Sequence, residues 1–350
     1  MQNLVSSNMT KITLEPFVFL VFFGWSAMNS VQVRTKLLIW KICEIDLGYD
    51  EFLCQNVSSN ATIESEIQIK VNEIEIVSNW FSKVPGVFYS FFAGSLSDDH
   101  GRKPCLFLPI LGALLGTVFD SINYAWIKIL PTGFFYLCGD FWYSILGGNA
   151  VYYLGTYSYG ATITKNENRA NILARFNAIE LAGWVLGSLV SPSIFNYLGY
   201  YGSYSIYLIC CVLALIHLNL FVLEPIKKKM ETGKEKNETS NFFRKIFVDS
   251  FVQMVQTLLK KRPGPIRCLL FLQLISYFFL WFNYQYENME YLYMTKVLHG
   301  FDENNYAYYY AAKQSLQGLF IIFVMPKLKI HPSLFCIISL SLQGLRLLEV

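Results

Sequence analysis

Gly94-Ser-Leu-Ser-Asp98-Asp-His-Gly101-Arg102-Lys103 concentrates the most chemistry in this chain. It places a carboxylate, a guanidinium and an ammonium around two glycines, between two long apolar stretches. Such a group makes no covalent bond; it suits a hinge that opens and closes through charge and a tight turn. The second set of residues lies inside the apolar stretches themselves. Glu180, Asp140, Glu287 and Lys313 are ionisable groups where ionisation is costly, so they are candidates for binding a proton or a solute. Asn29 and Gln32 offer neutral hydrogen bonds to a solute or to a neighbouring helix. Asp120 sits near the end of its stretch and reads as a solvated surface carboxylate.

Covalent and metal chemistry find no such footing. The four histidines (100, 217, 299 and 331) are scattered, with no metal-ligand spacing and no nucleophile–base set. The expectation is a protein that is not an enzyme, needs no cofactor or metal and binds no nucleic acid. Its partners are a small-molecule solute, protons and the lipid bilayer, and its oligomeric state is open.

The elements that position these residues follow from composition. Hydrophobic residues make up 54% of the 350-residue chain and charged residues 15%, against about 25% charged in ordinary soluble domains. A membrane-spanning helix needs about 20 mostly apolar residues. Stretches of that kind are expected near 16–34, 78–96, 104–124, 130–158, 172–196, 202–223, 267–286, 306–325 and 332–349. The fold class is therefore all-α, a polytopic membrane helix bundle. Lys and Arg collect after the second, fourth, sixth and eighth stretches, while the first intervening loop is acidic. The positive-inside rule then puts the amino terminus in the cytoplasm and the odd-numbered loops outside.

Three parts are expected. Residues 1–223 form a six-helix bundle with a glycosylatable outer loop over 35–77. Residues 224–266 form a cytoplasmic linker, in which Phe243, Phe247, Phe251, Val255 and Leu258 recur at helical spacing on an amphipathic helix. Residues 267–350 form a partial second bundle. Asn56-Val-Ser and Asn60-Ala-Thr are glycosylation sequons in the outer loop, and Cys43 and Cys54 there can pair across a short ring. Gly112-x-x-x-Gly116 and Gly183-x-x-x-Gly187 have the spacing that lets membrane helices pack closely.

The run from Gly94 to Lys103 fits G-x-L-x-D-x-x-G-R-K and so resembles the turn between the second and third helices of the major facilitator superfamily. Glu15-Pro16 at the first stretch, Glu167-Asn-Arg169 after the fourth, and Tyr286-Glu287-Asn288 through Tyr293 at the seventh narrow the resemblance. They point to the solute carrier family that contains the proton-coupled folate transporter and the thymic stromal cotransporter. The resemblance implies a facilitator that alternates between inward- and outward-open states and carries an organic anion or folate-like solute with a proton. It makes Asp98, Arg102 and Lys103 a latch, with Gly94 and Gly101 permitting close contact and the turn. It matches Glu180 to an acidic position linked to proton coupling. Thr162 and Asn283 depart from the folate-carrying members, which have an acid and a histidine there. Facilitators usually have about twelve helices, so about nine implies a chain truncated in its second half. The competing expectation is a non-transporting membrane binding or regulatory protein. Either a plasma or a lysosomal membrane fits.

Overall fold

A computed structural model describes residues 14–55, 61–164, 169–224 and 303–319, with scattered positions between 252 and 275. Every regular element among them is helical. The chain divides into two compact units, Met1–Gln253 and Met254–Val350.

The first unit opens with α1 (Glu15–Asn29), whose Pro16 and Glu15 suit a helix start, where no amide donor is needed and a negative charge is favoured. The span expected over 16–34 does not continue as one helix. Turn residues 30–32 interrupt it, and Gln32 takes a left-handed conformation (φ 53°) before α2 resumes over Val33–Lys41. Gln32 is the only non-glycine with positive φ among the described residues, and side-chain-bearing residues adopt that region only when their surroundings hold them there. A π-helical turn, Ile42–Asp46, follows, then α3 (Glu51–Gln55).

The stretch 35–77, expected as an outer loop, is mostly helical. Its second part belongs to α4 (Ala61–His100), a helix of 40 residues, or about 60 Å at 1.5 Å per residue. The acidic residues that suggested a loop lie on more than one side of this helix: Glu75 accepts from Thr35 of α2 (3.0 Å), while Glu66 and Glu73 are exposed. Ile67 and Val71 are buried, with Ile63 and Ile74 packed beside them, in a cluster with Leu37, Leu38, Ile42, Cys43, Ile127 and Phe135. Cys43 and Cys54 form a disulfide in this cluster, with Cα atoms 5.8 Å apart.

α5 (Lys103–Ala125) follows the turn at Gly101 and Arg102. The span expected over 130–158 is also broken, into a 3-10 turn (Thr132–Leu137), α6 (Asp140–Ile145) and α7 (Gly148–Ile163). Pro131, Gly139 and Gly147 punctuate it, and hydrophobicity alone does not register such breaks. α8 (Arg169–Phe221) is two arms joined at Gly199, whose dihedrals leave the helical region (φ 62°, ψ −153°). Positions 183, 187 and 188 of the first arm meet Phe19, Phe23 and Ser26 of α1 in that order, so this arm runs parallel to α1. In the second arm Cys210 lies against Gly24 of α1, and Lys103 at the start of α5 reaches Asn219, so the chain returns.

Both expected glycine pairs are contact sites. A Cβ on Gly187 would stand 2.5 Å from the Phe23 carbonyl oxygen and 2.9 Å from the Ala27 nitrogen, so the α1 and α8 backbones touch there. Gly112 and Gly116 abut the backbone of Trp142 and Gly139 in the same way. Beside Gly187, the buried hydroxyls of Ser26, Ser30 and Ser188 lie 2.8–3.1 Å from one another, and Ser26 also donates to the Trp184 carbonyl (2.8 Å).

In the second unit, α9 (Glu303–Leu319) buries Tyr306, Ala307, Tyr310, Ala311 and Gln314 at three- and four-residue spacing. The other spans and the linker helix expected there lie outside the described residues or among the scattered positions.

Candidate functional site

Three places in the first unit gather polar chemistry. The first is the turn at one end of the bundle. Gly101 has φ 96°, a conformation that strains any residue with a side chain. It is covered by Glu224, three residues past the second arm of α8. One Glu224 oxygen accepts the Arg102 amide (2.9 Å) and the other accepts the Lys103 amide (2.8 Å). A carboxylate on two free amides at the start of α5 is the arrangement that a helix N-terminus favours. A Cβ on Gly101 would stand 2.6 Å from the Glu224 carboxyl carbon. Lys103 ties the same elements together through Nζ and the Asn219 carbonyl (3.1 Å), and Arg102 Nη1 donates to Ser97 Oγ.

The Asp98 side chain lies outside the described residues. Among the described residues, a Cβ on Gly94 would meet nothing within 4 Å. Sequence reasoning missed Glu224. Its only signal was a Glu-Pro pair closing an apolar stretch, just where the turn must be met.

The second place surrounds Glu180 on the first arm of α8. Tyr153 of α7 donates its hydroxyl to Glu180 Oε1 at 2.6 Å, and the Trp184 indole also hydrogen-bonds the carboxyl. Tyr153 stacks on Tyr157, whose hydroxyl donates to Asn177 Oδ1 (2.9 Å). Trp184 packs edge-on against Trp25 of α1 with centroids 4.5 Å apart. Glu180, Tyr153, Tyr157, Trp25 and Trp184 are half-buried, so the carboxyl sits in an aromatic wall that keeps part of its surface exposed. Asn29 donates to the Trp25 carbonyl one turn back in its own helix (3.1 Å). Gln32 marks the break in the first span.

The third place lies at the opposite end from the turn. Asp120 is buried (3% exposed), which corrects the expectation of a solvated carboxylate. Its position about a turn and a half from the end of α5 misled, because the 3-10 turn and Gly139 fold over it. Asp120 lies within electrostatic reach of Arg34, and the neighbouring Cys138 thiol donates to the Phe134 (3.4 Å) and Phe119 (3.7 Å) carbonyls. Arg34, at the start of α2, donates through Nη2 to Ser78 Oγ (2.8 Å) and the Phe135 carbonyl (2.6 Å). Asp140, a sequence candidate, is exposed in the first turn of α6 close enough for its charge to act on Asp120.

Lys313 is half-buried on α9 in the second unit. Glu287, Asn283, Asn56 and Asn60 lie outside the described residues. Thr162 donates to the Ser158 carbonyl (2.7 Å) within its own helix. Glu15 and Arg175 pair at 3.0 Å across the starts of α1 and α8; with Arg175 well exposed, the pair contributes at most about 1 kcal/mol.

Among the described residues, Glu15–Asp46, Lys103–Ala125 and Asn171–Phe221 are long and apolar enough to cross a bilayer. With the glycine-packed helices and the Gly101 turn, they define a polytopic helical membrane protein of the transporter type. The Major Facilitator Superfamily model matches residues 47–342, and the chain belongs to that superfamily. Its relatives lie in one solute carrier family. It is 25% identical over 232 residues to the probable peptidoglycan muropeptide transporter SLC46 of Drosophila melanogaster, covering 63% of this chain and 44% of that protein. It is 26% identical over 223 residues to the proton-coupled folate transporter of Rattus norvegicus, covering 63% and 47%. It is 25% identical over 285 residues to the human lysosomal proton-coupled steroid conjugate and bile acid symporter SLC46A3, covering 76% and 58%. The chain thus spans about half the length of the curated relatives it matches.

Proposed function

We propose that this chain moves a small organic solute across a membrane by proton-coupled alternating access. Organic anions and folate-like compounds are the first solutes to test. The observation that carries the reading is the Glu180 site, a carboxyl held by Tyr153 and Trp184 in an aromatic wall. Proton coupling needs a carboxyl that can exist in both protonation states within the membrane. Neighbours that donate to it but carry no positive charge leave both states accessible. The names of the relatives, two of them proton-coupled, support the same reading. Asp140, Glu287 and Lys313 are secondary candidates for proton or solute contact, and Asn29 and Gln32 for shaping the path.

In this reading the first unit carries the six-helix bundle, 224–266 the cytoplasmic linker and 267–350 part of a second bundle. Gly94, Asp98, Gly101, Arg102 and Lys103 form the conformational gate on the cytoplasmic side. The test is uptake of labelled folates and small anionic conjugates at acidic and neutral outside pH. Wild type is expected to give acid-stimulated uptake, and Glu180→Gln, with a permanently neutral amide, to lose the stimulation. Equal uptake at both pH values, unchanged in Glu180→Gln, removes the coupling.

The same reading puts the disulfide end of the bundle outside and the amino terminus in the cytoplasm. Asn56→Gln and Asn60→Gln should each remove one glycan, seen as a downward step in gel mobility that a glycosidase treatment abolishes. Wild-type protein in the membrane without any glycan at either site would reverse the assigned orientation.

A further inference from the structure

The cluster around Asp120 plays no part in the transport reading, yet its construction is unusual for a structural one. Asp120 is 3% exposed and lies within electrostatic reach of Arg34. Arg34 Nη1 lies 2.8 Å from where a Cβ on Gly139 would stand. The guanidinium, held by Ser78 Oγ and the Phe135 carbonyl, thus packs on the same Phe135–Gly139 segment that folds over Asp120, and Arg34 lies two residues past the left-handed break at Gln32.

Two further groups in this region have spare hydrogen-bonding capacity. Asn123, three residues along α5 from Asp120, is 0% exposed, and both its side-chain polar atoms lack a hydrogen-bond partner among the described residues. Tyr204 of α8 is 2% exposed, its hydroxyl likewise lacks one, and it lies within electrostatic reach of Asp120 and Arg34. The charged or titratable groups around the carboxyl are Arg34 from α2, Asp140 from α6, Cys138 from the connecting segment and Tyr204 from α8. Lys41 at the end of α2 acts on Cys138. From α4 comes the neutral hydroxyl of Ser78.

Buried polar groups are normally paired, and a buried carboxyl is costly unless its charge is used. A carboxyl that gains a proton acquires an O–H that needs an acceptor, and no longer attracts the guanidinium nearby. Spare capacity on Asn123 and Tyr204 is what a second protonation state requires. We propose that Asp120 is a second proton-accepting carboxyl of this chain, and that its charge holds Arg34, and with it the segment beyond the Gln32 break, in place. A proton from water forms an O–H bond on a carboxylate oxygen, and the negative charge is lost. Arg34 stays cationic and loosens. The O–H bond breaks when the proton returns to water. Only the purpose of this proton rests on the transport reading.

The experiment therefore needs no substrate. The full 350-residue chain is expressed in membranes with Cys105, Cys210, Cys211, Cys268 and Cys336 replaced by alanine. This keeps the Cys43–Cys54 disulfide and leaves the buried Cys138 as the only free thiol. N-ethylmaleimide labelling of Cys138 reads the opening of the cluster. At neutral pH, Asp120→Asn should label about tenfold faster than the parent, as local opening allows. Arg34→Gln should do the same, while Asp120→Glu stays near the parent. Thiol chemistry is common to both proteins, so the ratio of the Asp120→Asn rate to the parent rate isolates the carboxyl. That ratio should fall towards one as the medium is acidified. Labelling of Asp120→Asn at the parent rate overturns the proposal, as does equal exposure in Asp120→Glu or a ratio that ignores pH. If Asp120→Asn does not reach the membrane, Arg34→Gln and Asp120→Glu decide. Absence of uptake by wild type would count against the transport reading and leave this result standing.

Discussion

Gly187→Leu is expected to prevent the first bundle from assembling. At Gly187 the neighbour is backbone: the Phe23 carbonyl oxygen and the Ala27 nitrogen of α1 stand 2.5 Å and 2.9 Å from a built Cβ. A flexible side chain can swing aside, but a helix backbone moves only as a whole. The parallel contact between α1 and the first arm of α8 would have to open along its length. Overpacking costs about 1–3 kcal/mol where side chains can yield, and the cost here should reach or exceed the top of that range. Opening also breaks the Ser26–Ser30–Ser188 hydroxyl cluster, whose members are buried and would then lack partners. The measurement is the fraction of monodisperse protein extracted in mild detergent, with its melting temperature. Gly187→Leu should give little folded protein. Gly133→Ala is the control for substituting a glycine whose Cβ would make only an ordinary contact, 3.6 Å from the Tyr136 side chain, and should lose far less. Equal yields for Gly187→Leu and wild type would mean that the two helices do not approach as described.

That pair of glycines was legible in the sequence, because close approach of two helices leaves a three-residue gap between small residues. The turn was legible for a similar reason: Gly101 marks a backbone conformation, and conformation is local. What was not legible depends on distant partners. Asp120 lies a turn and a half from the end of its helix, and whether it is wet or buried is decided by Phe135 to Gly139, which fold back over it. The acidic residues before Trp80 suggested a loop because their charge was counted without its side. Glu66 and Glu73 face outward, whereas Glu75 meets Thr35 of α2 and Ile67 and Val71 bury against it. Spans one and four were expected as continuous because mean hydropathy averages over a break. The break at Gln32 carries no glycine or proline to announce it, and it exists because both flanking segments are fixed elsewhere. Glu180 stood out as an acid within an apolar stretch, but its partners Tyr153 and Trp184 required the fold.

Glu224→Ala should reduce acid-stimulated uptake by tenfold or more, and Gly101→Ala should do the same, while the double variant falls little further. Each substitution attacks the same contact from one side. Glu224 supplies the two oxygens that satisfy the Arg102 and Lys103 amides. Gly101 supplies the conformation and the missing Cβ that let the carboxyl approach. Groups that act through one contact lose it once, so their effects do not add. Glu224→Gln separates charge from shape: its single amide oxygen can still accept one N–H, and a partial loss is expected. Asn219→Ala is the nearby control, because Lys103 uses the Asn219 backbone carbonyl and the substitution keeps it. Gate and packing are then distinguished by where the loss falls. If the turn sets the balance between inward- and outward-open states, the variants should reach the membrane in normal amount with normal glycosylation and fail in uptake. If Glu224 only caps a helix, the loss should follow protein amount, and uptake per molecule at the membrane should stay at the wild-type level. Additive losses in the double variant would show that Glu224 and Gly101 act through separate contacts, and would remove Glu224 from the gate.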